Sequence, residues 1–302
     1  MQGLAQRVFA LRPDLINPDA SYGELAWIWG KGHAAIGDAW RRRLWFADPD
    51  EGGGLVGWAW ATMPHQARRT DGSVRTVGGA SVAFQVHPER GELVDEIIAW
   101  FEGVAGDLDR HVIVTTTDKE MSGQWAAAGY EAGSEADGDW TRLNGRRLDD
   151  LAEPVLPEGY RFRTAAELSA EVVAQAHIDA WHPSLYSLEA YEGVRKTTSY
   201  RPDLHFLVEA PDGTMAASTI AWFDPANRTG EFEPVGTHPL YRRKGLSTAM
   251  LLHGMRVLRD AGAERMTVAC LGAPGNPALG LYEGVGFREI SRDIELVKRR
   301  AA

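Results

Sequence analysis

The chain has 302 residues, 44% of them apolar and 25% charged, and a net charge of −10. That is the balance of a globular protein long enough for two domains, and no uninterrupted apolar run approaches a membrane span. The acidic excess, most of it before residue 151, argues against nonspecific nucleic-acid binding and suits cationic partners such as amines. In chain order, Leu44 to Ala47 and Leu55 to Met63 predict paired strands around the turn Asp48 to Gly54. Ser81 to His87 predicts a strand closed by Pro88, Leu93 to Val104 an amphipathic helix, and His111 to Thr115 a strand. Asn144 to Gly159, with Pro154, Pro157 and the pair Asp149-Asp150, reads as a linker. Beyond it come a short strand at Tyr160 to Thr164, a helix over Ala165 to Trp181, and strands at Leu204 to Glu209 and Met215 to Phe223. The turn Asp224 to Gly230 leads to a strand at Glu231 to Thr237. A helix follows over Gly245 to Ala261, stopped by Gly262, then a strand at Met266 to Cys270. The chain closes with a helix over Pro277 to Val285 and strand character from Phe287 to Val297.

Two features bear on compartment. The opening stretch Met1 to Arg12 lacks a signal-peptide core and a cleavage site. A single cysteine, Cys270, excludes an intrachain disulfide. The expectation is a cytoplasmic protein without a membrane or nucleic-acid partner; oligomeric state is not legible.

The halves repeat one another. Ser81-Val-Ala-Phe-Gln-Val-His87-Pro88 parallels the strand ending at His238-Pro239, and Trp125-Ala-Ala-Ala-Gly129-Tyr130 parallels Tyr282-Glu-Gly-Val-Gly286-Phe287. The period, roughly 150 residues, is a domain-sized unit.

The chemistry concentrates in Glu233-Pro-Val-Gly-Thr-His-Pro-Leu-Tyr-Arg-Arg-Lys-Gly-Leu-Ser-Thr248, a strand that enters a basic glycine loop and then a helix. Backbone N–H groups converging at a helix N-terminus make an anion site. Arg242, Arg243 and Lys244 add charge, and Gly245 lets a ligand approach without a Cβ in the way. The bland alternative is a solvated basic loop. About thirty residues on lies a second signature, Asn276-Pro-Ala-Leu-Gly-Leu-Tyr282-Glu-Gly-Val-Gly-Phe287.

These two segments resemble motifs of the GNAT superfamily of N-acetyltransferases. The loop pattern Gln/Arg-x-x-Gly-x-Gly/Ala reads Arg242-Arg243-Lys244-Gly245-Leu246-Ser247, with serine at the last position. The resemblance implies an α/β (α+β) fold of two tandem GNAT-like domains, each a mixed, mostly antiparallel sheet flanked by helices. The boundaries are 1–147 for a degenerate first repeat and 158–302 for a catalytic one. It implies acetyl-CoA as acyl donor, held by Val235, Gly236, Thr237, the loop and first turn Arg242, Arg243, Lys244, Gly245, Leu246, Ser247 and Thr248, and Asn276. Tyr282 would donate a proton to the departing thiolate. Glu233, or else Glu231 on the same strand face, would accept the amine proton, unless either is a solvated edge charge. Val235 would offer a backbone N–H to the oxyanion at a bulge that Gly236 accommodates. Trp181 and His182 lie in the turn expected to shape the acceptor pocket. No His, Cys and carboxylate set has metal-ligand spacing, His238 and His253 read as structural, and Cys270 as an inert thiol.

In the first repeat the aligned loop, Glu89-Arg90-Gly91-Glu92-Leu93-Val94, loses its basic and glycine positions, and Trp125 replaces the tyrosine. Glu89 and Glu92 repel a pyrophosphate, so this half is expected to fold without an acetyl-CoA site. The tryptophans before residue 147 are expected mainly in its core. The leading reading is transfer of acetyl from acetyl-CoA to a primary amine of a small molecule by direct attack. The alternatives are a non-catalytic acyl-CoA sensor and a protein acetyltransferase with the first half as docking module.

Overall fold

A computed structural model describes residues 1–14, 17–133, 140–273 and 275–300. The first half runs α1 (Gln2–Leu11), α2 (Tyr22–Ile36), β1 (Trp40–Phe46), β2 (Leu55–Thr62), β3 (His65–Arg68), β4 (Val74–Val77), β5 (Ala80–Val86), α3 (Leu93–Ala105), β6 (Arg110–Thr115), α4 (Lys119–Ala127), β7 (Glu131–Ala132) and β8 (Thr141–Arg147). The second runs β9 (Arg161–Thr164), α5 (Ala170–Ala180), α6 (Leu188–Arg195), β10 (His205–Glu209), β11 (Met215–Asp224), β12 (Thr229–Thr237), α7 (Leu246–Asp260), β13 (Arg265–Leu271), α8 (Pro277–Gly284) and β14 (Arg288–Lys298).

Both halves obey one plan because the same patterns recur. In α3, Leu93, Val94, Ile97, Ile98, Phe101 and Ala105 fall on one helical face, and all are buried against the first-half sheet. In α7, Leu246, Met250, Leu251, Met255 and Leu258 do the same in the second. The strands join into one 12-stranded sheet, with order β1-β2-β5-β6-β14-β8-β13-β12-β11-β10-β9 and β7 beside β14. Within each half, one pair of parallel strands carries the functional opening. β12 pairs with β13 only from Thr229–Phe232 to Arg265–Val268, and β5 pairs with β6 only from Ala80–Val82 to Arg110–Val112. Beyond those points each pair parts.

The halves exchange strands. β8, from the first half, lies antiparallel to β13 in the second-half sheet, with Arg265↔Arg147 through Leu271↔Thr141. β14 opens in the second half, pairing Arg288–Arg292 with β8, and ends in the first, pairing Asp293–Lys298 with β6. The segment read as a linker from Asn144 is therefore strand as far as Arg147. Leu148 and Leu151 beyond it are buried in the second-half core, and Arg256 donates to the carbonyls of Leu151 and Ala152. Alternation in β8 is masked by charge: Arg142 and Asn144 are buried yet polar, so hydrophobic patterning gave no signal there. The helix expected over Ala165 to Trp181 begins only at Ala170, because Ser169 caps it after a separate turn at Ala165–Glu167.

Exchange makes each half incomplete alone. A chain split after Glu153 strands β8 on one fragment and β14 on the other. The fragments 1–153 and 154–302 are expected to aggregate when expressed singly and to elute as a 1:1 complex when co-expressed, by size-exclusion chromatography. Two independently folded monomers would contradict the exchange.

Candidate active site

The site forms where β12 and β13 part. On β11, Thr219 faces Val235 but Ala221 faces Phe232, so Glu233 and Pro234 form a bulge in β12. The Trp222 indole donates to the carbonyl of Glu233 at 2.7 Å and holds the bulge. The distortion expected here is present, but Gly236 serves another purpose. It pairs regularly with Ser218, and a Cβ on it would stand 2.2 Å from the Trp181 ring. Glycine is needed because the six-membered ring of Trp181 lies directly against the strand.

Past Thr237 the chain turns through Pro239–Tyr241 into the basic loop. Arg243 and Gly245 both take positive φ, 66° and 77°, and curl the loop so that its amides and the first turn of α7 face one way. No side chain caps α7 at Gly245, and a Cβ there would meet nothing within 4 Å. The hydroxyls of Thr237 and Ser247 hydrogen-bond and tie the strand end to that first turn. The three cations are not equivalent. Arg242 donates to the carbonyls of Thr237 and Ala180 and braces the loop. Lys244 donates to the Tyr160 hydroxyl at 3.2 Å. Arg243 makes no hydrogen bond or ion pair among the described residues and is exposed. Leu246 has its side chain in the core and offers only backbone, while Thr248 is exposed on the first turn. An open, uncapped helix N-terminus behind a glycine, with strand backbone from Val235 to Thr237 unpartnered on the β13 side, fits a pantetheine pyrophosphate.

Across the opening, α8 carries Tyr282. Asn276 caps this helix, accepting from the Ala278 N–H at 2.9 Å and donating to the Leu271 carbonyl. The Tyr282 ring is buried, and its hydroxyl has no hydrogen-bond partner among the described residues. Burial, with the charge of Glu233 next, pushes its pKa up, so it stays protonated.

The two glutamates part company. The Glu231 carboxylate accepts from the Ser21 hydroxyl at 2.7 and 2.8 Å and from the Gly23 N–H at 3.0 Å. Ser21 is itself the N-cap of α2 and accepts from the Glu24 N–H. Glu231 therefore anchors the first-half helix. Burial raises its pKa to about 7 against those donors. Glu233 has no hydrogen bond to its carboxylate among the described residues, and burial raises its pKa while Lys31 opposes the shift. Glu24 is raised well above its ordinary value by burial and then by the charge of Glu233. Glu24 and Lys31 both lie on α2, with the Lys31 ammonium 4.6 Å from the Trp27 ring.

A first-half helix thus supplies a wall of the second-half site. It fits because Gly30 and Gly193 let α2 and α6 touch; a Cβ on Gly193 would stand 2.1 Å from the Gly30 carbonyl oxygen. The wall continues through Trp27, Tyr186, His177 and Trp181 in ring contact. Burial lowers the His177 pKa to about 3, so this ring is neutral. His182 lies at the exposed rim, 3.4 Å from the Thr70 hydroxyl on the β3–β4 turn. Sequence reasoning missed Ser21, Glu24, Trp27, Lys31 and His177. His253 stacks on Phe162 at 4.2 Å, and the His238 ring accepts from the Leu240 N–H, both structural. Asn144 lies 3.6 Å from the Cys270 sulfur, and burial raises that thiol's pKa.

The corresponding first-half cleft differs. The N-cap of α3 is Glu92, not a glycine, so the structural counterpart of Gly245 is Glu92, and Val94 is a buried core residue of α3. The loop is shorter than its second-half counterpart, which shifts the alignment made from sequence. Glu89, Asp118 and Glu120 line the opening. Trp125 fills the place of Tyr282, wholly buried against Phe84 and Tyr130.

Residues 170–287 match the model of the acetyltransferase (GNAT) family. The matched region holds both the basic loop and Tyr282. The chain is 29% identical over 155 residues to a mycothiol acetyltransferase of Saccharomonospora viridis, covering 47% of this chain and 50% of that one. It is 31% identical over 179 residues to a mycothiol acetyltransferase of Nocardiopsis dassonvillei, covering 54% and 52%. The chain spans about half the length of the curated relatives it matches. In fold it is similar to a tandem GNAT protein from the clavulanic acid biosynthesis pathway, at TM-score 0.66 and 17% identity over 100% of this chain and 94% of that one. It is likewise similar to a GCN5-related N-acetyltransferase from Sphaerobacter thermophilus, at TM-score 0.62 and 20% identity over 100% and 92%. The tandem GNAT architecture expected from the repeat is the observed one.

Because the folded pKa of Glu231 exceeds its ordinary 4.5, its protonated form favours the native state. That contribution is full below pH 4.5 and is lost as pH rises through about 7. Glu231→Gln keeps an acceptor for Ser21 and Gly23 without the charge. Its melting temperature relative to wild type should therefore be more favourable at pH 8 than at pH 5. Glu231→Ala, leaving both donors unpaired, should cost about 1–3 kcal/mol at either pH. An equal offset at both pH values for the glutamine variant would show that the carboxylate is not the titrating anchor.

Proposed function

We propose that the chain is an N-acetyltransferase that moves acetyl from acetyl-CoA to a primary amine of a small molecule. The observation that carries this reading is the placement of Glu233 and Tyr282 at the parted strands, neither polar tip hydrogen-bonded among the described residues, with the charge of Glu233 acting on the Tyr282 hydroxyl. An alkylammonium titrates near 10.4, so the attacking nitrogen needs an acceptor for its proton. Glu233, whose pKa burial raises, is that base. The free amine forms the C–N bond to the thioester carbonyl. The Val235 N–H stabilises the oxyanion. The C–S bond then breaks, Tyr282 gives its proton to the leaving thiolate, and the second proton shed by the nitrogen as the amide forms returns through solvent to Tyr282.

The proposed division places the acetyl-CoA site in residues 158–302. The first half, 1–147, is a degenerate repeat whose cleft repels the pyrophosphate. A small acceptor is favoured over a protein because α2 closes the acceptor side against α6 rather than leaving an open groove. The relatives named mycothiol acetyltransferases are consistent with a small acceptor. No helix among the described residues is long and apolar enough to cross a membrane; we propose a cytoplasmic enzyme.

A panel of amines assayed for CoA-thiol release tests the reading. Tyr282→Phe should lower kcat about 10²–10⁴-fold with acetyl-CoA affinity nearly unchanged. Glu233→Gln should lose most rate at low pH, with the deficit shrinking toward the amine's own pKa. Full activity in the phenylalanine variant reduces Tyr282 to packing. A pH-independent loss in the glutamine variant makes Glu233 a charge attractor instead of a base.

A further inference from the structure

The β3–β4 hairpin stands outside the 12-stranded sheet as a two-stranded sheet of its own, paired from His65↔Val77 to Arg68↔Val74. None of its strand residues is fully buried. A lone two-stranded hairpin is marginally stable in water, so whatever fixes its tip fixes where it stands. The tip reaches across to the other half. The Thr70 N–H donates to the Ser184 carbonyl at 2.8 Å, and the Ser184 N–H donates to the Thr70 hydroxyl oxygen at 3.0 Å. The two bonds join residues 114 positions apart.

Ser184 lies in the turn between α5 and α6 and is buried, whereas His182, Pro183 and Leu185 around it are exposed. Among the described residues no main-chain group of those three neighbours is hydrogen-bonded. Ser184 is therefore the point at which the main chain of this turn is tied down, and Thr70 ties it. From Ser184 the contacts run inward. Its hydroxyl accepts from the Tyr186 N–H at 3.0 Å. The Tyr186 ring centre lies 4.0 Å from that of His177 and 5.3 Å from that of Trp27. His177 stacks on Trp181 at 4.2 Å, and Trp181 lies against Gly236 on the strand that carries Glu233. At the start of the turn Arg242 of the basic loop donates to the Ala180 carbonyl at 3.3 Å. The segment bearing Trp181 and Tyr186 is thus held at one point by the second-half loop and at the next by the first-half hairpin.

We propose that Thr70 is a positioning residue for the acceptor: by clasping the α5–α6 turn, the first-half hairpin sets the ring wall of Tyr186, His177 and Trp181 against which the carbon skeleton of the amine packs. Thr70 acts through Ser184 and Tyr186 rather than on the reacting atoms. The inference rests on the acetyl-transfer reading, and its test separates the two.

Butylamine, phenethylamine and spermidine are assayed for CoA-thiol release and titrated calorimetrically into the CoA-loaded full-length protein, with acetyl-CoA affinity measured separately. Thr70→Val replaces the hydroxyl with a methyl group and leaves the Ser184 N–H unpaired; Thr70→Ser keeps the hydroxyl. The valine variant should raise KM and Kd for the amine about tenfold while kcat and the acetyl-CoA Kd stay near wild type, and the serine variant should restore both. Ser184→Ala, which cuts the next bond inward, should reproduce the rise. A hairpin that only stabilises the fold would lower the melting temperature and the active fraction, hence apparent kcat, and leave the amine KM in place; that result overturns the proposal. So does an equal loss of affinity for amine and acetyl-CoA, or a wild-type amine KM in Ser184→Ala. Turnover with an amine KM indifferent to Thr70 leaves acetyl transfer standing and removes the clasp. Amine binding weakened in the valine variant and restored in the serine variant, with no thiol release from any amine, keeps the clasp and removes acetyl transfer. Wild type binding none of the three amines overturns both.

Discussion

The carboxylate of Glu231, seated on the N-terminus of α2, is the contact on which the site's geometry depends. It lies two residues from Glu233 on the same strand face, so fixing one fixes where α2 stands relative to the other. Its partners, the Ser21 hydroxyl and the Gly23 amide, are donors that a helix N-terminus offers to an anion. Gly23 is required at this point because a Cβ would stand 2.5 Å from Trp222 and 2.6 Å from the Glu231 carboxylate. From that anchor α2 runs along the opening and presents Glu24, Trp27 and Lys31 to it.

Strand exchange supplies the rigidity behind this contact. β8 and β14 cross between the halves, so the helix of one and the Glu233-bearing strand of the other ride on one continuous sheet. The two halves keep the same parted strands but not the same chemistry. A glycine at the N-cap of α7 leaves an open anion site; a glutamate at the N-cap of α3 closes the corresponding one electrostatically. Tyr282 keeps a hydroxyl at the opening of one cleft, whereas the indole of Trp125 seals the other. Under the proposed function the first half contributes structure and an acceptor wall in place of a second donor site.

What was legible in the sequence was local. The strand–loop–helix around Gly245 and the helix carrying Tyr282 declare themselves through contiguous residues. The repeat shows because Gly129 and Gly286 hold the same left-handed turn after α4 and α8. What stayed hidden depends on segments far apart in the chain. Glu231 and Ser21 are 210 residues apart, and nothing near Ser21 marks its partner. The glycines at 23, 30 and 193 read as helix weaknesses until the close approaches they permit are seen. The β3–β4 hairpin was missed because no residue of its strands is fully buried, so hydrophobic alternation leaves no mark there.

The central claim is that the first half builds the acceptor wall of a donor site located in the second. Steady-state kinetics of Glu24→Gln, with acetyl-CoA affinity measured separately by calorimetry, test it most directly. Glu24 lies on α2, remote in sequence from every donor-site residue, yet its charge is coupled to Glu233. The account predicts that KM for the amine rises about tenfold or more while the acetyl-CoA Kd stays at the wild-type value. An unchanged amine KM, or an equal loss of affinity for amine and acetyl-CoA, would contradict it.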